Sequence, residues 1–305
     1  MPYDCGFLER QPIRRGKTAV ASKSEQPQYT LVFLTFARNS LIRDMTFRAN
    51  FIIECIASLS WTMMNLGFYL LIFSQIEQRR IADWHQYEFF AFIATTWIVN
   101  SVVQAFFMPN AQEFSELIRT GNLDFALLKP IDTQFLISLQ KMDWSSLSNF
   151  VAGGVLLVIS LWQLTGEATH PLTVTPILVG MYVFYLVCGV AIMYSLMISL
   201  AATSIWLGRN QTLYDFWFYI TNFSRYPMEI YNGRFGDPLQ WFFTFIIPVL
   251  IVVNVPARIV AQPLRPETSV ETWLALFAIA ATAGCLLGSR WIFTRALRSY
   301  RSASS

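Results

Sequence analysis

Few residues in this chain of 305 have the type and spacing to do chemistry. Gly16-Lys17-Thr18 carries the last three positions of a phosphate-cradling loop, whose full pattern is G-x-x-x-x-G-K-[ST]. The first Gly of that pattern would fall at position 11, which is Gln11. No strand-forming run precedes it, so the backbone amides that would hold a phosphate are not in place and no nucleotide site is expected. Ser138-x-x-Lys141 has the spacing of a serine nucleophile with a lysine base, but the companion motifs of that chemistry are missing. The chain has no G-x-S-x-G and no H-E-x-x-H. His85 and His170 are its only histidines, which leaves no His-rich metal site and no expected metal. Cys5, Cys55, Cys188 and Cys285 lie far apart, and three sit in apolar stretches, as small buried hydrophobes do.

Two carboxylates remain, Glu54 and Asp215, each within or near a long apolar run. An acid at membrane depth is a candidate proton relay. Glu54 stands one turn into its run and has Arg48 within reach; Asp215 has Arg209. Both therefore also read as structural pairs.

The elements that position these residues follow from composition. Hydrophobic residues make up 54% and charged residues 13%, about half the ~25% of a soluble domain. That is too little charge to cover a soluble core, and an integral membrane protein is the class that fits. Disorder is excluded by the hydrophobicity. A net charge of +3 argues against a nucleic-acid partner. Residues 1–28 are polar, basic and Pro-bearing, and read as a flexible cytoplasmic tail rather than a cleaved signal. Residues 29–50 are helical in pattern, with Leu34, Leu41 and Met45 on one face, and are expected to lie along an anionic leaflet.

Residues 51–305 form the membrane domain. The runs 51–73, 89–108, 144–164, 177–207 and 273–293 each reach the ~20 apolar residues that a span needs. The stretch 210–262 is apolar but interrupted by Pro227, Pro238, Pro248 and Pro256, so its backbone must be sheltered where it enters the membrane. Lys and Arg cluster before the first run, between the second and third, and after the last, whereas 165–176 holds none. Both termini are then cytoplasmic and the number of crossings is even. Six fits, with one net crossing in 208–271. It is either 210–225, followed by a re-entrant hairpin, or 238–260, preceded by a surface helix. Small residues recur at Ala280, Gly284 and Gly288, expected to pack a neighbouring helix of the same subunit or else to form a dimer interface, and Ser195, Ser199 and Thr203 form a similar row.

The cytoplasmic loop 109–143 is the most patterned segment. Phe114, Leu117 and Ile118 share a helical face, Gly121 stops that helix, and Asn122 and Asp124 open a second short turn that Pro130 ends. Such a compact apolar and acidic element suits docking of a soluble partner.

Here the chain resembles a known family. Gly121-Asn122-Leu123-Asp124-Phe125-Ala126-Leu127-Leu128-Lys129-Pro130 is similar to the G-x-L-D-x-x-L-L-K-P signature of type-2 ABC exporter permeases. Phe223-Ser224-Arg225-Tyr226-Pro227, Thr244-Phe245-Ile246-Ile247-Pro248 and the ending Leu297-Arg298-Ser299-Tyr300-Arg301-Ser302-Ala303-Ser304 resemble one branch of it, in the same order. The resemblance implies an all-α polytopic subunit of the plasma (inner) membrane with six spans, an interfacial helix first and re-entrant helices before the last span. This favours 210–225 as the fifth crossing. It further implies that the chain is no enzyme and carries no cofactor of its own, ATP and Mg²⁺ residing on a partner ABC ATPase. A second permease, identical or paralogous, would complete the transporter. The coupling helix would be 111–130, with Gly121 and Pro130 fixing its shape, Leu117 and Leu127 giving apolar contact, and Asp124 and Lys129 the polar contacts. Two other readings stay open at this point: a proton-coupled secondary transporter and a membrane scaffold that transports nothing. The wealth of Trp, Tyr and Phe suits an amphiphile, an aromatic cation or a lipid-linked molecule as cargo.

Overall fold

A computed structural model of the chain describes residues 28–76, 80–81, 84–166, 174–207, 211–262 and 269–300. The N-terminal tail with Gly16-Lys17-Thr18, Cys5, most of the 165–176 connection with His170, Arg209 and the last five residues lie outside these. Five of the helices are long and apolar enough to cross a bilayer. They are α2 (Arg48–Gln75), α3 (Gln86–Phe106), α7 (Leu147–Thr165), α8 (Pro176–Leu207) and α12 (Ser269–Ser299), each falling on one of the five apolar runs. The chain is an all-α polytopic membrane protein. The 32 residues of α8 span about 48 Å, longer than the ~30 Å of hydrocarbon, as its sequence length requires.

α3 is the centre of the bundle. Phe89, Phe92, Ala94, Val99 and Val103 along it are all but inaccessible, and α3 packs against α7, α11 and α8. A two-residue hairpin, β1 (Arg80–Ile81) with β2 (Trp84–His85), leads into α3 from α2. It buries Trp84 against Phe92, ring centroids 5.4 Å apart. His85 and Glu88 then close a capping box over the first turn of α3. α2, by contrast, is mostly exposed along its length, with Ile52, Ile53, Trp61, Phe68 and Leu71 facing outward. Such a surface meets lipid or another subunit.

The first helix, α1 (Tyr29–Thr46), ends at Phe47, which leaves helical geometry at φ −108° and ψ 56°. Residues 48–50 therefore belong to the span α2 and not to the first helix. One side of α1 is tied to the turn before α7. Ser40 Oγ accepts from Met142 N at 3.0 Å, Arg43 donates to Met142 O at 2.9 Å, and Trp144 Nε1 donates to Ala37 O at 3.3 Å. Leu34, Leu41 and Met45 are left exposed, the face that the sequence pattern picked out. In that turn the Asp143 carboxylate accepts from Ser145 N, Ser145 Oγ and Ser146 Oγ at 2.6–2.9 Å. The helix accordingly begins at Leu147 rather than at Trp144.

The prolines break 211–262 into short pieces. α9 (Gln211–Asn222) runs into a 3-10 turn at Phe223–Arg225, and a second follows Pro227 at Met228–Tyr231. Pro238 sits in the first turn of α10 (Gly236–Trp241), which continues as a π-helical turn, Phe242–Ile246. Pro248 stands in the break before α11 (Leu250–Ala261), and the axis bends by 90° there. α9 has 12 residues, about 18 Å, shorter than a full crossing. The pair α10–α11 has the apolar length of a broken span or a re-entrant loop. Pro256 lies inside α11 and lacks the N–H that would bond Val252 O. That carbonyl instead faces Gly189 of α8, where a Cβ would come within 2.5 Å of it. The close approach of α8 and α11 therefore needs a glycine at 189. A partly buried Arg258–Glu229 ion pair and a 2.9 Å bond from Trp84 Nε1 to Glu229 tie α11, the second 3-10 turn and the hairpin together.

The small-residue row of α12 does not pack within the subunit, the first of its two expected roles. Ala280 and Gly284 are exposed, and a Cβ on Gly284 or Gly288 would meet nothing within 4 Å. α12 packs chiefly on α8, and Leu274, Ala275 and Ala278 are among the residues that it buries in the core. Ser195, Ser199 and Thr203 spend their hydroxyls on carbonyls of their own helix.

Candidate functional site

The loop between the second and third apolar runs is built as one closed piece. Its first helix, α4 (Met108–Arg119), takes Pro109 in its opening turn, where a missing N–H costs nothing. Asn110 staples the loop shut. Its amide nitrogen donates to Lys141 O at 2.7 Å and its amide oxygen accepts from Lys141 N at 2.7 Å. The Lys141 ammonium meets Glu113 at 2.6 Å, and Asp143 N donates to Ala105 O at 2.8 Å. Phe114 is fully buried and meets Phe293 of α12 with centroids 5.9 Å apart. Leu117 and Ile118 are half-buried against the same core. Leu117, expected to offer apolar contact outward, mainly holds α4 down.

Gly121 stops α4 as its position predicted. Its φ of +72° is the left-handed region that glycine enters without strain. α5 (Asn122–Leu127) starts immediately, with Asp124 N donating to Gly121 O at 3.2 Å. Helical spacing then divides the side chains. Leu123 and Ala126 turn inward and are buried, while Phe125 and Leu128 turn outward, 68% and 81% exposed. Leu127, Lys129 and Pro130 are exposed beside them. Phe125 and Leu128 were missed in the sequence, although their i, i+3 separation within D-F-A-L-L was the available signal. Covering such side chains is worth about 1.5–3 kcal/mol each.

Three contacts join this loop to the spans. Asp132 caps α6 (Thr133–Leu139) by accepting from Phe135 N at 3.0 Å. The same carboxylate takes both terminal nitrogens of Arg290 on α12, at 3.0 and 2.5 Å. The hydrogen-bonding guanidinium holds the Asp132 carboxyl below its ordinary range. Arg290 also donates to Gln134 at 2.9 Å, and Gln134 donates to the Tyr194 hydroxyl of α8 at 3.0 Å, which Ser138 Oγ meets at 2.9 Å. The third contact is Asp124, which is half-buried and faces Tyr300 beyond the end of α12. Burial, then the neighbouring Asp124 carboxylate, push the Tyr300 phenol up. Two segments singled out separately in the sequence, 121–130 and the stretch from Leu297, thus meet in space.

The intramembrane acids do not join this arrangement. Glu54 is exposed and accepts from Asn50 at 2.6 Å, one turn back, rather than pairing with Arg48. Asp215 lies on α9, and its side chain is outside the described residues. Among the described residues no three His, Cys, Asp or Glu side chains gather as a metal site. The arrangement can do mechanical work: an exposed apolar knob on a stapled loop, bonded to two spans.

No curated protein and no solved structure matches the chain significantly. A family model does. Residues 59–304 match that of the ABC-2 family transporter protein, from the middle of α2 to beyond α12, and the chain belongs to this family of membrane permeases.

Proposed function

We propose that this permease is the membrane half of an ATP-driven exporter. A separate ABC ATPase docks on the loop 109–143 from the cytoplasm, and a second permease, identical or paralogous, completes the transporter. ATP and Mg²⁺ act on the ATPase, and this chain converts its closure into movement of the spans, exporting a small molecule or amphiphile across the plasma (inner) membrane. Both termini then lie on the cytoplasmic side, with α1 along that leaflet.

The observation that carries this reading is the pairing of exposed Phe125 and Leu128 with a rigid base. A few buried side chains carry most of the energy of an interface, and an aromatic or aliphatic anchor that fills a pocket can form its centre. Force applied to them passes through Phe114–Phe293 and Asp132–Arg290 into α12, and through Gln134–Tyr194 into α8. The proton-coupled alternative needs acids deep in the spans; Glu54 is instead exposed and bonded within its own helix.

The test is co-purification of the ATPase with the permease, and ATP hydrolysis stimulated in liposomes. Phe125→Asp with Leu128→Asp places charge on the docking face without touching the buried Leu123 or Ala126. Association is expected to fall by a factor of 100 or more, about 2.7 kcal/mol or greater, while membrane insertion is unchanged. Parent-like association and stimulation would remove this loop from the docking surface.

A further inference from the structure

A cavity of about 220 Å³ lies between α2, α3 and the start of α7, away from the docking loop. Two polar rows face each other across it. Ser58, Thr62, Asn65 and Tyr69 recur at helical spacing on α2, and Thr96, Trp97, Asn100 and Gln104 do so on α3. Tyr69 lies six residues before Gln75, about 9 Å inside the end of α2. Polar side chains at this depth are costly and mark binding sites or pathways.

Part of this polarity is satisfied within the chain. Asn149 donates to Ser58 Oγ at 2.7 Å and accepts from Thr62 Oγ1 at 2.9 Å. The amides of Asn100 and Gln104 have no hydrogen-bond partner among the described residues, and both line the cavity. Arg225 lines it too, near Tyr69. Its guanidinium carbon stands 5.6 Å from the centroid of Phe218, and no carboxylate of the described residues lies within ion-pair distance of it. None of the described residues lining the cavity is acidic. Among the described residues the site thus combines a cation that has no carboxylate partner with spare amide donors and aromatic walls. Trp61, 62% exposed, stands where the cavity meets the open outer surface of α2.

We propose that this cavity binds the anionic headgroup of an amphiphile, a phosphate or carboxylate, with its apolar tail lying along α2. Arg225 neutralises the headgroup, Asn100 and Gln104 donate to its oxygens, and the tail leaves past Trp61 into the bilayer side of the subunit. Binding stands on the cavity alone; that the ligand is the exported cargo rests on the exporter reading above.

The test uses the purified full chain in a neutral maltoside detergent, with dodecyl phosphate as probe and tryptophan fluorescence as readout, since Trp61 and Trp97 line the cavity. Dodecyl phosphate should give a saturable change that dodecyltrimethylammonium does not. Arg225→Gln should weaken it at least tenfold, Arg225→Lys much less, and Asn100→Leu severalfold. If Arg225→Gln does not fold, Asn100→Leu and Arg225→Lys still decide. Equal binding of the cationic amphiphile, or parent-like binding by Arg225→Gln or Asn100→Leu, overturns the proposal. Saturation by inorganic phosphate at the same concentration overturns the amphiphile part. Competition by phosphatidylglycerol would assign the site to a bilayer lipid, and its absence would leave it to single-chain amphiphiles; either supports the site. Co-purification of the ATPase should be unaffected by Arg225→Gln, so failure of the cavity and failure of the docking loop are read separately.

Discussion

Replacing Gly121 isolates the contribution of backbone geometry to coupling. Its φ is +72°, and a Cβ built there meets nothing within 4 Å. No steric clash enters, so the whole cost is conformational. For an L-residue the left-handed region costs about 1–2 kcal/mol, which is a factor of roughly 5–30 in the population of the intact turn. Asn tolerates this region better than other residues, and a β-branched residue is the least suited to it. The expected order of coupling is therefore Gly, then Asn, then Ala, then Val. The lever is the angle between α4 and α5: relaxing φ at 121 swings Phe125 and Leu128 away while Phe114 and the Asn110–Lys141 staple stay in place. The ATPase should therefore bind Gly121→Ala about 5–30-fold more weakly, and Gly121→Val more weakly still, with the spans inserted as in the parent. The assay is titration of the ATPase onto the reconstituted permease with ATP hydrolysis as readout. Gly121→Val coupling like the parent, or Gly121→Asn as impaired as Gly121→Val, would refute the reasoning, since the strain would then not govern the docking face.

Two further expectations follow from the packing and the topology. Gly189→Ala puts a Cβ 2.5 Å from Val252 O, so α8 and α11 must separate; a loss of about 1–3 kcal/mol should lower the melting temperature of the detergent-purified chain, and an unchanged melting temperature would contradict the close contact. If 109–143 is cytoplasmic, as proposed, and 226–262 is a re-entrant segment on the outer side rather than a broken span, an impermeant thiol reagent should label Gly233→Cys on intact cells and Asn122→Cys only after permeabilisation; the reverse pattern inverts the orientation.

The membrane class and the helical spans were legible in the sequence, because a bilayer imposes its thickness on hydrophobic run length. Five such runs became the helices α2, α3, α7, α8 and α12. The stop at Gly121 was legible for a similar reason, since local backbone sterics leave few residues able to end a helix that way. The prolines likewise located the breaks in 226–248, although the path through the membrane there is not a property of local sequence. What side chains face could not be read, because it depends on which helices become neighbours. Phe114 and Leu117 share a helical face, yet the first is buried where Phe293 arrives and the second is half-covered by the core, leaving Phe125 and Leu128 as the exposed pair. Asp132 and Arg290 lie 158 residues apart, and Asp124 and Tyr300 sit in motifs with no visible relation until α12 returns to the loop. The polar rows of α2 and α3 are each ordinary as sequence; only their juxtaposition, with Arg225 carried in from the segment after α9, makes a charged cavity. Local chemistry determined the elements, and long-range packing determined which of their faces remain available to a partner or a ligand.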